Sequence, residues 1–190
     1  MNNPVRDLWT GNWIMALCGC FYLAWWIVVF KPPKPRNSPA GWVLLALAFL
    51  AGIVGVYIMI KSLMTPIQEI RPGMISSFKI MITGAVFYAL LLILTVRFFH
   101  RQVTSELLII IAWAVLEFCA VNFLYRCDNI NIITALLLAG IIFMAVLGGL
   151  ICYILYYRLP YTESFIDGCI PLILAVLTIA LINITAARAI

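Results

Sequence analysis

The chain is predicted to be an all-α, polytopic integral membrane protein with six transmembrane helices. Three observations carry this reading. Hydrophobic residues make up 66% of the 190 residues and charged residues only 10%, whereas about a quarter of a soluble domain is charged. The apolar runs are continuous and long enough to cross a bilayer, unlike the short alternating segments of a β-barrel. No polar stretch is long enough for a separate soluble domain, so residues 1–190 form one membrane domain.

Residues 2–12 read as a short polar lead-in, and residues 13–30 as the first span. That run is too long for a signal-peptide core and ends in Lys31-Pro32-Pro33-Lys34-Pro35-Arg36, a stop-transfer flank. Ala16, Cys20 and Ala24 recur every four residues and predict a stripe where another helix approaches closely. The second span covers 41–60, with Ala48, Gly52 and Gly55 on one face. The connector 61–78 has apolar residues at helical spacing until Pro72-Gly73, which suits a surface loop or an interfacial segment.

The third span is 79–99 and the fourth 104–125, joined by a tight turn that makes them antiparallel neighbours. The fifth, 133–157, is rich in small residues. The sixth, 168–187, is expected to start behind Asp167 as N-cap, with Pro171 in its first turn. Both termini then lie on one side. Lys and Arg divide six to six between the two sides, so the positive-inside rule does not orient the chain. Similar Gly/Ala-rich second spans and similar connector ends in the two halves hint at a 3+3 inverted repeat.

The net charge of +5 arises from loop residues, so the expected partners are lipid headgroups and not nucleic acid. The location expected is a plasma or inner membrane. The six cysteines are scattered and read as small packing residues. With one histidine, His100, neither a metal nor a haem site is expected, and no cofactor is called for. Catalytic signatures are missing from the sequence.

Two acids in the fourth span stand out. Glu106 follows Thr104 and Ser105 in the first turn, where the helix dipole favours an acid. Arg97 and Arg101 lie across the turn and are expected to form a structural ion pair with it. Glu117 stands about 16 Å further along the helix, beyond their reach. No Lys or Arg shares its depth, so its carboxyl must be neutralised, hydrated or tied up by hydrogen bonds. Candidate partners in a substrate or ion pathway are Tyr88, Thr178, Asn122, Asn183 and Trp113, the last one turn before Glu117 on the same face. Asp128 and Glu163 read as solvated loop acids.

The leading functional expectation is a small-solute or ion channel or transporter, with Glu117 as proton-coupling or substrate-contact group. The alternatives are a non-catalytic subunit or scaffold, assembling with itself or a partner membrane protein through small-residue faces, and a lipid-active membrane enzyme.

Overall fold

A computed structural model describes residues 3–33, 35, 38–65, 72, 74–99, 105–156 and 158–187. Six α-helices account for nearly all of them: α1 Pro4–Phe30, α2 Pro39–Met64, α3 Ser77–Phe99, α4 Ser105–Arg126, α5 Ile132–Leu155 and α6 Tyr161–Ala187. Each is long and apolar enough to cross a bilayer. These features are compatible with a multi-pass membrane protein.

Local sequence explains where the helices begin. The Asn3 side chain accepts a hydrogen bond from the Val5 amide at 3.1 Å, and Pro4 occupies the first turn. Asp7 adds an acid where the helix dipole welcomes one. Ser38-Pro39 starts α2 in the same way, without the side-chain bond. Asn131 caps α5 by accepting from the Thr134 amide at 2.7 Å.

Two helix starts differ from the sequence-based expectation. Residues 4–12 are the first turns of α1, not a polar lead-in, because an N-cap and a first-turn proline precede them. Likewise α6 begins at Tyr161, so Asp167 is no N-cap and Pro171 lies inside the helix. The acids of this segment belong to helical turns: Glu163 is exposed in the first turn, and Asp167 is buried in the second. Most of the 61–78 connector lies outside the described residues, although α2 runs on to Met64.

The helices form an open ring in the order α2, α1, α6, α5, α4, with α4 only lightly touching α2. Helix α3 stands outside this ring and packs mainly on α4. The most intimate pair is α1 with α2. There, a Cβ on Gly55 would meet Met15 Cγ at 2.9 Å and the Gly11 carbonyl oxygen at 3.1 Å, so two backbones approach closely. Gly19 lies against Val176 of α6, and Gly52 against Cys18. The expected stripe on α1 is therefore rotated: Ala16 is buried, Cys20 is exposed, and glycines 11 and 19 supply the close approaches.

Polarity is distributed in an unusual way for a helical bundle. Asn12, Glu117, Asn122 and Asn183 are all buried, while Phe49, Tyr57, Phe78 and Ile109 are largely exposed. In water the hydrophobic effect would favour the opposite arrangement.

Candidate functional site

Glu117 sits on α4, the most enclosed helix, with a relative exposure of 0%. Its one side-chain hydrogen-bonding partner among the described residues comes from α1: the Asn12 amide nitrogen donates to Glu117 Oε2 at 3.4 Å. Asn12 is itself sealed from solvent. Trp113 lies one turn earlier on α4, close enough for its indole N–H to act on the carboxyl but outside hydrogen-bond geometry. No charged side chain among the described residues acts on Glu117.

Helix α6 brings Asn183 to the same level. Trp26 Nε1 donates to the Phe165 carbonyl, Gly19 meets Val176, and Trp9 Nε1 donates to the Asn183 carbonyl at 3.2 Å. This antiparallel register sets Asn183 beside the Trp9–Asn12 turn of α1. Within this layer Glu117 Oε1, Asn12 Oδ1, Trp113 Nε1 and Asn183 Nδ2 have no hydrogen-bond partner among the described residues. Two acceptors and two donors are thus unsatisfied together, each at a cost of about 1–3 kcal/mol. A small polar molecule with both donor and acceptor character would relieve them.

Directly beyond this layer lies a cavity of about 710 Å³ between α1, α2, α4, α5 and α6. Met15, Trp113 and Ile179 line its end nearest Glu117. Trp26, Tyr156 and Asp167 line the other end. Where α2 stands away from α4, the lining residues Phe49, Ile53 and Ile109 are also exposed, so the cavity opens sideways through an apolar gap.

Of the residues singled out from sequence, Glu117, Trp113 and Asn183 share the buried layer. The others lie apart. Asn122 is turned to the segment before α3, donating to the Ile75 carbonyl at 2.8 Å and accepting from the Ile75 amide at 3.5 Å. Thr178 is buried, and its hydroxyl donates within α6 to the Leu174 carbonyl at 2.8 Å. Tyr88 is half-buried on α3, outside the ring. Arg97 is exposed, whereas Arg101 and the Glu106 side chain fall outside the described residues, as does their ion pair. Asp128 is exposed in the turn after α4 with φ 60°, a left-handed conformation that Asp tolerates.

Two participants escape the sequence reading. Asn12 was hidden by the assumed lead-in; Asn3-Pro4, an N-cap followed by a first-turn proline, was the signal for an earlier start. Asp167 was hidden by a helix start set seven residues late. It is buried against α5, where the Cys152 thiol is positioned to hydrogen-bond its carboxyl.

No protein-family model, curated protein or solved structure matches the chain.

Proposed function

We propose that the chain is a bilayer-embedded small-solute transporter or channel in which Glu117 is the proton-responsive or substrate-contacting group. The observation that carries this reading is the cavity that ends at Trp113, with the Glu117–Asn12 layer immediately beyond it. Six apolar helices with polar groups inside and large hydrophobics outside support a bilayer as the surrounding medium. Unsatisfied donors and acceptors in one buried layer support an exchangeable polar occupant there. The largely apolar lining favours an organic solute over a hydrated ion.

The test is flux in proteoliposomes across a pH series. Glu117→Gln keeps the side-chain shape and is expected to fold normally while losing the pH dependence of transport. An unchanged pH response in that variant would remove Glu117 from the mechanism.

A second reading is favoured by the Asn12–Glu117 contact: a polar lock joining α1 to α4 in a non-catalytic subunit. Under that reading Glu117→Gln assembles and no flux of any solute is found. The inverted 3+3 repeat receives no support from the packing, since α5 lies along α6 while α2 has no comparable contact with α3 among the described residues.

A further inference from the structure

We propose that the lateral cavity binds a lipophilic cation, an apolar molecule bearing an amine or quaternary ammonium, with Asp167 as its counter-charge. This rests on reading the chain as a small-solute membrane protein, and it names the chemistry of the solute.

Among the described residues that line the cavity, Asp167 is the sole Asp, Glu, Lys, Arg or His. It is more than nine-tenths buried, and its Oδ2 has no hydrogen-bond partner among the described residues. Among the described residues, Cys152 is the one side chain positioned to hydrogen-bond the carboxyl, and no cationic side chain acts on it. A carboxylate so placed is costly until a cation meets it.

Aromatic rings surround the same end of the cavity. Trp26, Tyr22 and Tyr156 line it, and the Trp26 and Tyr156 rings lie 5.8 Å apart. Gly168, the residue after Asp167, lets the Trp26 indole lie directly on α6, since a Cβ there would strike the ring. The indole is held by its hydrogen bond to the Phe165 carbonyl at 3.1 Å. Carboxylate plus aromatic faces is the combination that recognises ammonium groups, through charge pairing and cation–π attraction. The rest of the lining is apolar, and the sideways opening is apolar too, so the route of entry suits a molecule dissolved in hydrocarbon.

The experiment compares two ions of matched shape and opposite charge, tetraphenylphosphonium and tetraphenylborate, by equilibrium dialysis against the purified full chain. Saturable binding of the phosphonium and none of the borate is expected. Asp167→Asn should weaken phosphonium binding by about ten-fold or more, with the thermal unfolding midpoint checked alongside. Tyr22→Leu should weaken it less, through loss of a ring face. Equal binding of the two ions, binding of neither, or full affinity in folded Asp167→Asn would overturn the proposal. The comparison of the two ions uses the unaltered chain, so it decides the matter even if Asp167→Asn fails to fold. Binding of the phosphonium without flux in proteoliposomes would leave this site standing and remove the transport reading. Flux without any preference for the cation would do the reverse.

Discussion

Asn12 and Glu117 meet across 3.4 Å although they stand 105 positions apart in the chain, each sealed from solvent. An amide on α1 is thereby tied to a carboxyl on α4, two helices separated in the ring by α2 on one side and by α6 and α5 on the other.

The first prediction concerns this pair. Asn12→Leu leaves Glu117 without its donor and should destabilise the fold by about 1–3 kcal/mol. Glu117→Leu should cost a similar amount by stranding Asn12. The double variant Asn12→Leu/Glu117→Leu should recover much of the loss, because neither member of the pair is then left buried without the other. Chemical unfolding of the four proteins in detergent measures the coupling, and additive losses would show that the contact contributes nothing.

Glycines predict a contrast. A Cβ at Gly84 would strike Val115, while one at Gly140 would find nothing within 4 Å. Gly84→Ala should therefore destabilise the docking of α3 on α4 by about 1–3 kcal/mol, with relief from a second change, Val115→Ala. Gly140→Ala should be neutral, or stabilising by up to about 1 kcal/mol through helix propensity. Thermal midpoints of the purified variants separate the two cases.

Asn122 should act as a tether for the segment entering α3. Its amide bridges to both backbone groups of Ile75, so Asn122→Ala should cost about 1–2 kcal/mol. Amide exchange at residues 74–76 should accelerate with little change in the core of α4. Unchanged exchange there would show that the segment is held by other contacts.

The helix directions predict a topology. If all six helices span a bilayer, Asp128 lies on the side of both termini and Glu163 on the opposite side. Asp128→Cys and Glu163→Cys, each in a background without other cysteines, should react with an impermeant maleimide from opposite faces of sealed vesicles. Labelling from the same face would break the six-span arrangement.

Much of the architecture was legible because hydropathy registers long apolar runs irrespective of their packing. All six helices were legible, and the ends furthest from expectation, the starts of α1 and α6, carry polar residues. Thr10-Gly11-Asn12 looks like a loop when hydropathy alone is read, and Glu163 and Asp167 invite the same mistake. Capping chemistry points the other way at Asn3-Pro4, and Pro160 precedes Tyr161 as a stop before the last helix. Glu117 could be picked out from sequence because one acid in a long apolar run is conspicuous. Its partner could not, since spacing along the chain says nothing about which faces of α1 and α4 meet. For the same reason the bonding of Asn122 and Thr178, and the place of Tyr88 outside the ring, follow from the structure and not from spacing.

The Asn12–Glu117 contact also bears on how the protein is made. Synthesis at about 5–20 residues per second separates the emergence of the two side chains by roughly 5–20 s. Throughout that interval α1 carries an amide whose partner has not yet been translated. The pair can close only after α2 and α3 have been delivered. The polar centre of the ring therefore closes late, and the α1–α2 pair must leave Asn12 facing the place that α4 will take.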